Sequence, residues 1–248
     1  WLVEPQSSGI GGGGFMLVYD RTSGGVTFYD GRETAPAAID ENLFSRDDGS
    51  TMGFVEAWQS GRAVGTPSVV KLYETAHADH GKAKWADLFK SAEGLARDGF
   101  EVTPRLTNSL SHKRLRAAMK LDEYPTTSDY FYPGGEPLQV GDVRVNSAYA
   151  DLMSDIGKHG SDTLYSGKIA DAIVNAVTTA DIPGKLALSD LESYSVVRRD
   201  GVCGGFYDYQ VCSAPPPSSG AVTQIMITAT IVKGESISNI VSSGKRIY

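Results

Sequence analysis

Four histidines and two cysteines among 248 residues leave little material for a metal centre. His77 and His80, with Asp79 between them, can share a helix face at i and i+3, but a tetrahedral site needs a third protein ligand and none stands nearby. A solvated helix end accounts for them. No Gly-x-Ser-x-Gly occurs, so an α/β-hydrolase triad lacks its nucleophile elbow. No apolar run approaches the roughly 20 residues that span a bilayer. Basic residues are in the minority, 23 against 30 acidic, and the net charge of −7 argues against nucleic acid or an anionic membrane surface as the main partner. The basic run His112-Lys113-Arg114-Leu115-Arg116 reads as a solvated helix face.

A hydrophobic share of 41% and a charged share of 21% suit a folded chain of one or two ordinary domains. The apolar start Trp1-Leu2-Val3, with no charged leader, reads as a mature or trimmed end from which any signal peptide has been lost. Cys203 and Cys212 flank eight residues. If Tyr207-Asp208 form a two-residue turn, the cysteines fall opposite each other, four pairs away, at a non-hydrogen-bonded position where Cα atoms approach to about 4.5 Å. That spacing admits a disulfide, which suits an exported protein, or two thiols packed side by side.

Glycine is concentrated in residues 7–14, Ser-Ser-Gly-Ile-Gly-Gly-Gly-Gly, where Gly9, Gly11 and Gly14 satisfy G-x-G-x-x-G by count. A dinucleotide loop follows a strand and opens a helix. Here the order is reversed, because Phe15 to Tyr19 reads as a strand, residues 20–25 as a turn and residues 26–29 as the hairpin partner. A glycine run before a hairpin serves φ > 0 or the close approach of another segment, and neither needs a phosphate.

Beyond the hairpin, residues 43–65 read as irregular. A helix is expected from Thr66-Pro67, with Thr66 as N-cap, to Gly81, and another from Trp85 to Gly99. Further helices are expected over residues 106–120, 148–159 and 167–180, with an aromatic, Pro/Gly-rich loop over 124–141. Ser189-Asp190-Leu191-Glu192 matches a capping box with Ser189 as N-cap. Residues 196–199, 201–206 and 209–213 read as an antiparallel meander, and Pro215-Pro216-Pro217-Ser218-Ser219 leads into a helix that starts near Ser219. Met226 to Val232 runs without a clear break into Lys233-Gly234; either the chain ends raggedly or residues are missing near 230–233.

Arg32 follows the second strand, where a guanidinium can project into a cleft and grip a carboxylate in a bidentate fork. An ion pair with Glu33 or Asp30 is the competing account. The order of motifs now matters: Glu4-Pro5-Gln6-Ser7-Ser8-Gly9-Ile10-Gly11-Gly12-Gly13-Gly14-Phe15-Met16, Gly31-Arg32-Glu33-Thr34-Ala35-Pro36, Ala63-Val64-Gly65-Thr66-Pro67, Gly99-Phe100 and Pro215-Pro216-Pro217-Ser218-Ser219-Gly220. Over residues 1–227 this series resembles the γ-glutamyltranspeptidases, and Gly204 and Tyr209 suit a bacterial-type member.

The resemblance implies an α+β, N-terminal nucleophile hydrolase-type fold, a four-layer α-β-β-α sandwich of which residues 1–248 supply the large-subunit part as a single domain. It implies a precursor that cleaves itself, a small subunit whose new N-terminal threonine is nucleophile and base, and transfer of the γ-glutamyl group of glutathione to water or to an amino-acid or peptide acceptor. Arg32 matches the family arginine that binds the donor's α-carboxylate. No catalytic residue, cofactor or metal is implied in this chain. Ser218 and Ser219 are read as helix-capping residues. A periplasmic or secreted location follows from the resemblance and the possible Cys203–Cys212 bridge.

Departures accompany the matches. The family's first helical segment is missing before Trp1, only 28 residues follow Gly220, and no Thr-Thr-His is present; Thr126-Thr127-Ser128 is internal. Lys245 to Tyr248 resemble the approach to a processing site. Two rival readings are a related acylase of the same fold acting on glutaryl or β-lactam side-chain amides, and a non-catalytic fragment or interaction module.

Overall fold

The apolar, β-branched and aromatic run after the glycines forms a strand. In the computed structural model, which describes residues 1–232, β1 (Gly14–Tyr19) pairs antiparallel with β2 (Val26–Gly31), Leu17 opposite Phe28 and Phe15 opposite Asp30. The turn between them is held by the Asp20 carboxylate, which accepts from the Thr22 amide and the Ser23 hydroxyl at 2.8 Å each. These bonds favour the charged form, so the Asp20 carboxyl lies below its ordinary pKa.

Residues 43–65 are more regular than their composition suggests. A short helix, α1 (Phe54–Gln59), and a 3-10 turn, Gly61–Ala63, occupy the segment. Phe54, Val55 and Trp58 are exposed, so α1 buries no apolar stripe and leaves no helical period to detect. α2 (Val69–His80) ends at Gly81 as expected but starts two residues late, with Ser68 rather than Thr66 at the N-cap. Thr66 instead extends the chain, its amide donating to the Thr34 carbonyl at 2.9 Å.

α3 (Lys90–Asp98) follows a 3-10 turn, Trp85–Leu88, and stops at Gly99, whose φ of 103° is left-handed and whose missing Cβ would stand 2.6 Å from Val143 Cγ1. The chain leaves it into β3 (Phe100–Glu101). The single helix expected over 106–120 is two helices, α4 (Pro104–Ser111) and α5 (Lys113–Met119), because His112 takes an extended conformation and its Nδ1 accepts from the Leu115 amide at 3.2 Å. The expected loop over 124–141 contains α6 (Pro125–Phe131), started by a proline at its first position, and a 3-10 turn, Pro133–Gly135. β4 (Val143–Arg144) pairs antiparallel with β3. α7 (Ser147–His159) is capped by Asn146, which accepts from the Tyr149 amide at 2.9 Å, and α8 (Gly167–Thr178) follows a 3-10 turn, Ser161–Leu164. α9 (Leu188–Glu192) starts one residue before the expected capping box. Its N-cap is Ala187, whose amide donates to Asp190 Oδ2 at 2.9 Å, so Asp190 and not Glu192 reaches back.

The expected meander also differs. β5 (Val197–Arg199) pairs with β2, Phe28 opposite Arg199, while β6 (Val202–Phe206) and β7 (Tyr209–Ser213) form a separate hairpin. Across β2 and β5, Arg199 Nε stands 2.8 Å from the buried Asp30 Oδ2, a side-chain link alongside the ladder. Cys203 faces Cys212 in the hairpin, with Cα atoms 4.1 Å apart, and the two are joined by a disulfide. α10 (Gly220–Val232) closes the described chain. The expected break near 230–233 meets its last residue, and residues 233–248, including Lys245 to Tyr248, lie outside the described residues.

The residues fall into two compact units. One joins Trp1–Gly13 to Arg32–Ser195 and is mainly helical; the other joins Gly14–Gly31 to the chain from Val196 and holds the three-stranded sheet, the disulfide hairpin and α10. In the first unit Val102, Leu106, Leu110, Tyr132 and Leu138 form a buried cluster, and the Tyr132 hydroxyl satisfies itself on the Leu110 carbonyl at 3.1 Å. No helix among the described residues is long and apolar enough to cross a membrane.

Candidate functional site

Gly12 shows what the glycine run does. Its carbonyl accepts from the amides of Ser68 and Val69 at 3.0 and 2.9 Å, directly at the N-terminus of α2. The first amides of a helix lack intrahelical partners, and here a main-chain oxygen of the same protein meets them, in the place a phosphate would take in a nucleotide loop. None of the run's glycines has a positive φ. The count of G-x-G-x-x-G is thus an accident of composition.

Arg32 is the first residue after β2 and lines a cleft of about 730 Å³ within the helical unit. Glu33, Thr34, Pro36, Trp58 and Arg62 line the same cleft. Half of the Arg32 side chain is exposed, and its Nη2 lies 3.2 Å from Glu33 Oε2. Of the two candidate partners in the sequence, Glu33 pairs with Arg32, and both residues border the cleft. Asp30, the other candidate partner, accepts from Arg199.

The segment carrying Arg32 is held at three successive points. The Tyr194 hydroxyl donates to the Arg32 carbonyl at 3.0 Å. The Thr34 carbonyl accepts from the Thr66 amide, and the Ala37 amide donates to Asp190 Oδ1 at 2.9 Å. Asp190 is 8% exposed and uses its two oxygens on two amides, Ala37 and Ala187. Arg62, on the opposite stretch of the lining, is committed to the chain itself: its Nη1 donates to the carbonyls of Leu43 and Ser45 at 3.1 and 2.8 Å. Arg32 therefore offers a charge to the cleft from a fixed main chain, whereas Arg62 stitches a loop.

Other residues singled out in the sequence take structural places. His77 Nε2 pairs with the Ala83 carbonyl at 2.8 Å and its ring meets the edge of Trp85. No group of three or more His, Cys, Asp or Glu among the described residues is arranged to hold a metal ion. In the basic run, Arg116 bonds Asp122 at 2.8 Å and covers the Tyr132 ring at 4.4 Å. Ser218 Oγ accepts from the Gly220 amide at 3.3 Å, at the start of α10. Trp58, Arg62, Asp190 and Tyr194 escaped the sequence reading of the site. Arg62 adjoins the Ala63-Val64-Gly65-Thr66-Pro67 motif, which was its only signal; nothing near Tyr194 in sequence marks it.

Known proteins resemble this chain in sequence and in fold. The glutathione hydrolase proenzyme of Bacillus subtilis strain 168 is 35% identical over 224 residues, which are 89% of this chain and 36% of that protein. The Escherichia coli K12 glutathione hydrolase proenzyme is 33% identical over 226 residues, 91% of this chain and 38% of that protein. The chain thus spans little more than a third of these relatives' length. The crystal structure of Helicobacter pylori γ-glutamyltranspeptidase superposes with a TM-score of 0.85 at 28% identity, covering 96% of this chain and 66% of that one. The mixed helix and sheet content and this likeness bear out the α+β, N-terminal nucleophile hydrolase-type fold. The family model described as gamma-glutamyltranspeptidase matches residues 1–245, and the chain belongs to that family.

Proposed function

We propose that this chain is the large-subunit part of an enzyme that cleaves the γ-glutamyl amide bond of glutathione and related compounds, and passes the acyl group to water or to an amino-acid or peptide acceptor. Arg32 binds the α-carboxylate of the donor. One observation supports this most: a half-exposed guanidinium at the exit of β2, lining a cleft from an anchored main chain. A carboxylate and a guanidinium match in charge and in planar geometry.

The nucleophile is the N-terminal threonine of a small subunit made from the same precursor. Its hydroxyl oxygen attacks the γ-carbonyl carbon, its α-amine takes the hydroxyl proton and delivers it to the leaving nitrogen, and the C–N bond breaks to give an ester. Water or an acceptor amine then attacks that ester, and the α-amine takes the proton of that nucleophile and returns it to the threonine oxygen as the ester C–O bond breaks. Arg32 holds the far end of the donor so that the γ-carbonyl arrives in reach, a positioning effect rather than a chemical one. The Cys203–Cys212 disulfide supports a periplasmic or secreted site of action, since such bonds persist in oxidising compartments.

The test is Arg32→Ala in the assembled two-subunit enzyme. KM for γ-glutamyl donors is expected to rise by the equivalent of about 1.5 to 3 kcal/mol, the range for a hydrogen bond to a charged group. An unchanged KM overturns the assignment.

A further inference from the structure

We propose that Tyr194, backed by Tyr165, is a positioning residue for donor recognition: the two phenols clamp the main chain that carries Arg32. This inference rests on the reading of Arg32 as the carboxylate ligand.

The ladder between β1 and β2 ends at the pair Gly14 and Gly31, so Arg32 begins a segment that the sheet no longer holds. Tyr194 Oη donates to the Arg32 carbonyl at 3.0 Å, and Tyr165 Oη donates to the Pro67 carbonyl at 2.7 Å. The two rings stack with centroids 6.0 Å apart and planes 7° from parallel. Both tyrosines are buried. The two carbonyls they hold flank the bridge between Thr34 and Thr66, one on each strand of it. The stack, the two hydroxyl bonds and the bridge therefore close a ring: Arg32, Thr34, Thr66, Pro67, Tyr165, Tyr194. Lys71 Nζ lies 5.6 Å from the Tyr165 ring centre and pairs with Asp162 at 3.0 Å, which fixes the outer phenol in turn.

Such a ring does more than add stability. A bidentate grip on a carboxylate tolerates displacement of only about half an ångström, and the Arg32 side chain is itself half exposed with several rotatable bonds. Its backbone is the part a protein can fix in advance. The carbonyl of Arg32 is two bonds from its Cα, so the Tyr194 bond constrains the origin of the side chain directly.

Tyr194→Phe removes one hydroxyl and leaves the ring stack. In the assembled enzyme, L-γ-glutamyl-p-nitroanilide should show KM raised about three- to tenfold, the effect of one neutral hydrogen bond, with kcat nearly unchanged. Glutaryl-p-nitroanilide, which lacks the α-carboxylate and amine, should show no such rise. Tyr165→Phe should move KM in the same direction by less, and it carries the test if Tyr194→Phe fails to assemble. Equal rises for both donors would mark a general structural effect and overturn the clamp. So would an unchanged KM for the γ-glutamyl donor in the tyrosine variants while Arg32→Ala raises it, an outcome that leaves the carboxylate reading of Arg32 standing. If Arg32→Ala itself leaves that KM unchanged, both the reading and the clamp fall.

Discussion

Glu33 Oε2 lies 3.2 Å from Nη2 of Arg32, its neighbour in sequence, and both side chains border the same cleft. The guanidinium thus already has one carboxylate beside it at the mouth of the cleft.

This pair is open to solvent, 50% for Arg32 and 30% for Glu33, so water and salt screen it and its contribution to folding is below about 1 kcal/mol. Glu33→Gln is expected to shift the thermal midpoint by no more than about 4 °C. Differential scanning calorimetry of the purified protein measures this directly, and a much larger drop would mean that Glu33 holds up more than Arg32.

Gly61 is a different matter. A Cβ there would stand 2.3 Å from the Val177 carbonyl oxygen and 2.6 Å from the Gly184 amide nitrogen, both backbone atoms that cannot swing aside. The Gly61 amide also donates to the Ile182 carbonyl at 2.9 Å. Gly61→Ala should destabilise by about 2 kcal/mol or more, in the range of overpacked cores. Gly9→Ala, where no atom stands within 4 Å, is the matched control and should be close to neutral.

Burial pushes the Tyr165 hydroxyl well above the ordinary tyrosine pKa, with smaller contributions from Tyr194 and Glu74. The folded state favours the neutral phenol, so this contribution is fully present below pH about 10, the unfolded value, and is lost as pH rises toward the higher folded value. A spectrophotometric alkaline titration should show Tyr165 ionising after the exposed tyrosines. In Tyr165→Phe the late step should vanish; if it persists, another phenol owns it.

The Cys203–Cys212 disulfide closes a short hairpin loop with a sequence separation of 9. Intact mass before and after reduction and unfolding should differ by two hydrogen atoms. Cys203→Ser is expected to cost about 2 to 3 kcal/mol if loop closure dominates, read as a lower denaturant midpoint.

Where sequence and structure part, the reasons are local. The β1–β2 hairpin, the left-handed glycine that ends α3 and the Cys203–Cys212 register follow from alternation, glycine's conformational freedom and turn geometry, which act within a few residues. His112 splits a helix because its side chain caps the next one, a choice that periodicity does not encode. Pairing of β5 with β2, with Asp30 meeting Arg199, joins residues 169 apart, beyond the reach of local pattern. At the site, Arg32 was legible because its motif is contiguous. Tyr194 and Asp190 were not, since each acts on a backbone atom more than 150 residues away and no side-chain pattern announces such a contact.

The Gly12 carbonyl at the start of α2 has one more consequence. The group that quiets the helix's positive end belongs to the main chain, so every residue type would supply it and no side-chain substitution can delete it. What a mutation can change is the path that delivers the oxygen there. The glycine run should accordingly be sensitive to insertion or deletion, which moves Gly12 out of register, and comparatively indifferent to which small residue stands at Gly9 or Gly11, where a side chain would meet open space.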